Sequence, residues 1–139
     1  MPATTQYVGQ RTPDGCVVTV TRHNQPSYPL PPRLDLVNHS PTGLEWGYGG
    51  SGPSQLALAV VADCLNDNEQ LSLKKVATDE QALRLYQQFK WLVIAQLPHA
   101  AWTLTEADVL KAVQHIRQTE ESEEVEQQRN HPWHSRQRS

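Results

Sequence analysis

Residues 46–53, with the sequence WGYGGSGP, have the types and spacing best suited to chemistry in this chain. Four glycines among seven residues lead from a predicted strand into the N-terminus of a predicted apolar helix. Such a helix end presents free backbone N–H groups and a positive dipole, and glycines let a phosphate approach closely. The pattern predicts an anion-binding loop, whose candidate ligand-binding residues are Tyr48, Gly49, Gly50, Ser51, Gly52 and Ser54.

This segment matches neither of two common phosphate-binding motifs. It is not a Walker A loop, because no Lys-Ser or Lys-Thr pair follows, and it is not a dinucleotide fingerprint within a βαβ unit. The alternative to a binding loop is a tight strand-to-helix turn. In that case the glycines only make room for packing, and Trp46 and Tyr48 lie in the core. The sequence leaves both interpretations open.

Basic and aromatic residues elsewhere in the chain could complete an anion site. Arg11 and Arg22 are candidates for neutralising a phosphate, and so is Lys90. Phe89 and Trp91 flank Lys90 with aromatic rings that could stack on a base. The alternative for each cation is a solvated surface charge, and the alternative for Phe89 is a place in the core.

No catalytic or metal-binding constellation is recognisable in the sequence. Ser40 follows His39, but no Gly-x-Ser-x-Gly elbow surrounds it and no orienting acid can be assigned. Glu45 is a single carboxylate rather than one of an acid–base pair. Only His131 and His134 are close together among the six histidines, and a metal site would need two more ligands. We therefore predict a binding protein rather than an enzyme, without a metal or a cofactor.

Length, charge and cysteine usage limit the class of protein further. A chain of 139 residues predicts one domain, and a net charge of −3 gives no basic field for nucleic acid. No apolar run reaches the roughly 18 residues of a membrane span, and the N-terminus lacks a secretory pattern. Cys16 and Cys64 show no metal or redox spacing and are expected to be reduced thiols. These features predict a soluble cytoplasmic protein that binds neither membrane nor nucleic acid.

The pattern of predicted elements is that of an α+β fold, with a small N-terminal antiparallel sheet followed by about three helices. Strands are predicted at 6–9, 16–21, 34–37 and 44–47, the first two joined by a turn at 12–15. Helices are predicted at 53–65, with Gly52 as N-cap, at about 79–96, and after Thr105, which has Asp108 three residues on. The domain is expected to cover residues 1–117, and the polar segment 118–139 is expected to fray or be disordered.

Residues 39–59 carry a family resemblance in the sequence HSPTGLEWGYGGSGPSQLALA. This stretch resembles the core of an uncharacterised family common in phages, prophages and plasmids, which usually has Phe in place of Leu44. The family's later Tyr-x-x-Phe-Lys helix and its Trp after a Leu-Pro stop are matched by residues 86–90, Leu97-Pro98 and Trp102. The resemblance covers about residues 6–113.

The resemblance implies a function in conflict between mobile elements and their hosts. Families of this size on such elements are often counter-defence proteins, and the order of sheet and helices is similar to the Thoeris anti-defence sponges. Those proteins bind cyclic ADP-ribose-type signals as homo-oligomers without cleaving them. The first hypothesis is therefore a homo-oligomer that sequesters a phosphate-bearing nucleotide signal, of cyclic ADP-ribose type or a cyclic nucleotide.

Two other functions stay open at this point. One is a protein-interaction inhibitor of a host defence protein, such as a CRISPR complex, because the acidic run 120–126 would favour a basic partner surface. The other is a nucleotide-processing enzyme with an unfamiliar site.

Overall fold

The computed structural model describes residues 5–40, 43–67 and 75–130. In chain order the elements are β1 Gln6–Thr12, β2 Gly15–Thr21, β3 Tyr28–Pro29, α1 Ser51–Asp67, α2 Lys75–Leu92, a 3-10 turn Ile94–Gln96, β4 Ala101–Thr105 and α3 Glu106–Asn130. The strands form one antiparallel sheet of order β3-β2-β1-β4. The predicted α+β fold, a four-stranded sheet with three helices, is confirmed.

The β1–β2 hairpin forms where the sequence predicts it, because its turn chemistry is local. Gly15 has a φ of +126°, and the Thr12 hydroxyl donates to the Gly15 carbonyl at 2.8 Å. The other neighbour of β1 is β4, in which Trp102 lies opposite Gly9. A Cβ on Gly9 would lie 2.2 Å from the Trp102 ring, so only glycine fits at this point of the sheet.

The predicted strands 34–37 and 44–47 are wrong. Residues 34–36 form a turn, and the amide of buried Gln55 binds the segment around it, donating to the carbonyls of Pro32 and Val37. Residues 44–46 have no regular structure, since positive φ angles at Gly43 and Gly47 end the extended path on both sides. Strands β3 and β4, which were not predicted, complete the sheet in place of 34–37 and 44–47.

The three helices exist, but their bounds differ from the expectation. The first helical hydrogen bond runs from the Ser54 N–H to the Gly50 carbonyl, so α1 begins before Pro53 and Gly52 is not its cap. Helix α2 begins at Lys75 and ends at Leu92, where the 3-10 turn replaces the predicted last turn. Residues 68–74, in the polar stretch between the helices predicted at 53–65 and about 79–96, lie outside the described residues.

The capping box of α3 is confirmed. The Thr105 N–H donates to Asp108 Oδ2 at 2.9 Å, and the Asp108 N–H donates to Thr105 Oγ1 at 3.1 Å. Helix α3 then continues to Asn130, through the expected end of the domain at residue 117, because Glu, Gln and Arg are good helix formers. Residues 131–139, the end of the predicted tail 118–139, lie outside the described residues.

Helix α1 is the centre of the core, as its nearly uniform apolar sequence predicts. Its residues 56–62 are fully buried. This rigid position fixes the N-terminus of α1, and the glycine-rich segment before it, between the end of α2 and the start of β4. No helix in the described ranges is long and apolar enough to cross a membrane.

Candidate ligand-binding site at the glycine loop

The glycine loop, residues 47–52, is anchored at its start and leaves the end of α1 open. Gly47 has a φ of +88°, which favours glycine, and its N–H donates to the Ile94 carbonyl at 3.0 Å. At the helix end, Pro53 has no N–H, and the N–H groups of Ser51 and Gly52 find no acceptor among the described residues. The first turn of α1 contains no acidic residue. The helix therefore keeps two free donors and the positive end of its dipole.

Two aromatic rings lie directly on the glycines of this loop. A Cβ on Gly49 would come within 2.0 Å of the Trp91 ring, and a Cβ on Gly50 within 2.6 Å of the Tyr48 ring. Tyr48 is nevertheless 52% exposed and Trp91 58% exposed. The glycines do make room for packing, as the alternative interpretation holds. That packing leaves two half-exposed rings beside the open helix end. Of the two residues that the alternative places in the core, Trp46 is buried and Tyr48 is not.

Lys90 lies near the end of α2, beside the Trp91 ring that packs on Gly49. One helical turn earlier, the Tyr86 hydroxyl is 2.6 Å from His39 Nε2, and beyond the end of α2 the Ile94 carbonyl accepts the hydrogen bond from Gly47. The Lys90 ammonium is 4.4 Å from the centre of the Trp91 ring, and the residue is only 8% exposed. Within the described part of the chain no carboxylate forms an ion pair with Lys90.

Arg11 reaches the edge of the loop, but its guanidinium is already used. It binds both carboxylate oxygens of Glu45, at 2.7 and 2.9 Å, and donates to the His99 carbonyl and the Cys16 sulphur. It also stacks over the Trp46 ring. Arg11 was expected to face a phosphate, whereas the structure pairs it with an acid that the sequence shows only as a lone carboxylate.

Glu45 belongs to the site although sequence reasoning missed it. A Cβ on Gly52 would lie 2.6 Å from the Glu45 Cβ, so the acid flanks the start of α1. The Arg11 guanidinium, against partial burial, lowers the pKa of Glu45 to about 2. Partial burial, and then the Glu45 carboxylate, raise the pKa of the Cys16 thiol. At neutral pH the three groups form a closed cluster with one cation, one anion and a neutral thiol.

Because the pKa of Glu45 is lowered in the folded state, the free energy of unfolding should depend on pH. The Glu45 pKa is lowered from 4.5 to about 2, so the contribution of this carboxylate is present above about pH 4.5 and is lost as the pH falls towards about 2. Because solvent screens a side chain that is 33% exposed, we expect about 1 kcal/mol or less. Urea unfolding across this pH range should show the loss in the native chain and not in Glu45→Gln. Parallel curves for the two proteins would contradict the assignment.

Arg22 lies far from the glycine loop, which corrects its expected role. It donates to Asp63 Oδ2 at 2.7 Å, and Tyr7 and Tyr28 donate to the same carboxylate at 2.8 and 2.9 Å. Asp63 is twelve residues after Ser51 in α1, which places this network about 18 Å along the helix from the loop. Burial raises the pKa of Tyr7, so its hydroxyl remains a donor. The network joins the sheet to α1.

Two further candidate ligand-binding residues, Phe89 and Ser54, are buried and do not face solvent at the loop. Phe89 is fully buried in the core, so its ring is not available to a ligand, whereas Trp91, two residues later, is 58% exposed. Ser54 is 4% exposed and faces inward, whereas Ser51 is exposed at the helix end. Phe89 follows Leu85 and Tyr86 at the spacing of one helical turn, and this apolar pattern was the signal in the sequence for its core position.

No three His, Cys, Asp or Glu side chains in the described ranges are grouped so that they could hold a metal ion. His131 and His134 lie outside those ranges. The loop can instead offer an anion the N–H groups of Ser51 and Gly52, with the half-exposed rings of Tyr48 and Trp91 against the preceding glycines.

Comparison with known proteins places the chain in a family. No curated protein and no solved structure matches it significantly. The model of one family of unknown function, DUF6166, matches residues 7–115, a span that includes the whole glycine loop together with α2 and β4. The chain therefore belongs to the DUF6166 family.

Proposed function

We propose that this protein binds a phosphate-bearing, nucleotide-type small molecule at the glycine loop. The observation that carries the proposal is the pair of half-exposed rings, Tyr48 and Trp91, on the glycines beside a helix N-terminus whose first turn contains no acidic residue. The phosphate binds the N–H groups of Ser51 and Gly52 and the ammonium of Lys90, and the base stacks on an aromatic ring.

The protein holds this ligand without converting it. The nearest acid and thiol to the loop, Glu45 and Cys16, are both engaged with Arg11, and this supports retention over chemistry. The resemblance to families of phages and plasmids supports a role in counter-defence, where the chain acts as a homo-oligomer that sequesters a nucleotide signal of the host. The ligands in question are of cyclic ADP-ribose type or cyclic nucleotides.

Removing the exposed Tyr48 ring should weaken nucleotide binding with little effect on folding. We expect Tyr48→Ala to raise the dissociation constant about tenfold or more, since stacking on one aromatic ring contributes about 1–3 kcal/mol. Isothermal titration with a panel of cyclic and ADP-ribose-type nucleotides measures this, and chromatography with mass detection shows whether the ligand is recovered unchanged.

Val17→Ala is the matched control, because Val17 is an exposed apolar residue of β2 outside the glycine loop. It should bind as the native chain does. The proposal fails if the native chain binds no member of the panel at tens of micromolar, or if Tyr48→Ala and Val17→Ala bind equally well. If the ligand were recovered with an altered mass, the protein would be an enzyme that converts the ligand and not one that only retains it.

A further inference from the structure

Strand β4 forms one edge of the sheet, and the two edges differ in how they are protected. The sheet order β3-β2-β1-β4 places β3 at the opposite edge. Strand β3 has only two residues, Tyr28 and Pro29, and a proline cannot donate a hydrogen bond to a further strand. Strand β4 has five residues, with no proline and no charged side chain. Short strands, prolines and charges keep natural sheet edges from pairing, so β4 is the edge that is open to another strand.

The hydrogen bonds at the two ends of β4 show which of its backbone groups face outward. The Arg11 N–H donates to the Ala100 carbonyl at 3.1 Å, and the Glu106 N–H donates to the Thr5 carbonyl at 2.8 Å. In an antiparallel pair, only every second residue of a strand exchanges hydrogen bonds with the same neighbour. The even-numbered residues of β4 therefore bond to β1, and the odd-numbered residues turn their N–H and C=O groups away from it.

Ala101 and Thr103 carry the open backbone groups of β4. Both residues are exposed, and the described part of the chain supplies no hydrogen-bond partner for the N–H or the C=O of either. Thr105 also faces outward, but its N–H already donates to Asp108 in the capping box of α3. Ala101 and Thr103 each present one open donor and one open acceptor, placed symmetrically about Trp102.

The charges around β4 favour a second copy of the chain in antiparallel orientation. Glu106 and Asp108 follow the strand in the first turn of α3. At the other end of the strand, Arg11 donates to the His99 carbonyl and is neutralised by Glu45. A parallel copy would place the two acidic ends side by side, which is unfavourable. An antiparallel copy places each acidic end opposite the partner's neutral end.

We infer that β4 pairs with β4 of a second copy, in antiparallel orientation about a two-fold axis at Trp102. Ala101 of each copy then lies opposite the partner's Thr103, and reciprocal hydrogen bonds satisfy the open N–H and C=O groups of both residues. This register leaves the capping box of α3 intact, and the two sheets become one continuous sheet. The inference goes beyond the proposed nucleotide binding and does not depend on it, because it names the surface through which two copies associate.

The oligomeric state of the ligand-free chain tests the inference. We expect sedimentation velocity over a concentration series to show the native chain as a dimer at about 50 μM. Thr103→Pro removes the outward N–H, which a monomer tolerates at a sheet edge, and should raise the dissociation constant of the dimer about tenfold or more. Thr103→Val is the matched control, because it keeps the N–H and a branched side chain, and it should dimerise as the native chain does. Circular dichroism shows whether each variant is folded.

Hydrogen exchange tests the same interface without a substitution, and it decides the matter if Thr103→Pro does not fold. The Ala101 and Thr103 amides should exchange slowly in the dimer and rapidly on dilution to the monomer, because only the partner strand binds them. The Trp102 and Leu104 amides bind β1 and should be slower than these two in the monomer.

A native chain that stays monomeric up to about 100 μM overturns the inference and leaves the proposed nucleotide binding untouched. The inference is also overturned by a dimer in which folded Thr103→Pro associates as tightly as Thr103→Val. The same holds for a dimer in which the Ala101 and Thr103 amides exchange as fast as they do in the monomer. In either case the two copies associate through another surface.

Discussion

Replacing Asp63 with alanine should lower the free energy of unfolding by about 3 kcal/mol or more. The carboxylate accepts hydrogen bonds from Tyr7, Tyr28 and Arg22, and the side chains of its ion pair are only 12% and 14% exposed. Without Asp63 the Arg22 guanidinium loses its ion pair at a nearly buried place, and two tyrosine hydroxyls lose an acceptor. Urea unfolding followed by circular dichroism measures the change.

Two further variants separate this network from a general effect of removing an acid. Tyr28→Phe removes one hydrogen bond and should cost about 1 kcal/mol. Glu121→Ala removes an exposed acid of α3 and should change stability by less than about 0.5 kcal/mol. If Asp63→Ala were no more harmful than Glu121→Ala, the network would not be what joins the sheet to α1.

Phe89 and Trp91 are two residues apart in α2 and should respond in opposite ways to alanine substitution. Phe89 is fully buried, so Phe89→Ala should cost about 3–5 kcal/mol of stability through lost burial and a cavity. Trp91 is 58% exposed, so Trp91→Ala should cost no more than about 1 kcal/mol. It should nevertheless weaken nucleotide binding, because the ring beside Lys90 is lost.

Measuring unfolding and ligand binding for both variants separates packing from recognition. The assignment of Trp91 to the site is contradicted if Trp91→Ala binds nucleotide as the native chain does. It is also contradicted if Trp91→Ala unfolds as readily as Phe89→Ala, since the ring would then be part of the core.

Local features of the fold were predictable, and pairings distant in sequence were not. The turn at Gly15 and the capping box of Thr105 and Asp108 depend on residues within three positions of each other. Strand β4, by contrast, pairs with β1 across about a hundred residues, and no local pattern shows that Trp102 needs a glycine opposite it. The predicted strand at 34–37 failed because a buried glutamine of α1 binds the segment instead.

The glycines in the sequence indicate where the candidate site lies, but the sequence does not show which charged side chains near it are paired. The positions of the arginines in the sequence do not show that Arg11 pairs with an acid 34 residues away. Nor do they show that Arg22 pairs with Asp63, three turns of α1 after the glycine loop. These pairings arise from packing of the sheet against α1. Lys90 and the neighbouring aromatic residues were visible in sequence, and only burial shows that Trp91 rather than Phe89 has an available ring.

The most direct test of nucleotide retention is native mass spectrometry of the native chain and of Trp91→Ala. Both are exposed to extract from cells with an activated nucleotide-signalling defence. We expect the native chain to retain a nucleotide-sized mass on an oligomer and to release it intact on heating, while Trp91→Ala retains little. Native chain that stays free of ligand, or a variant that retains the same mass, would contradict retention at the glycine loop.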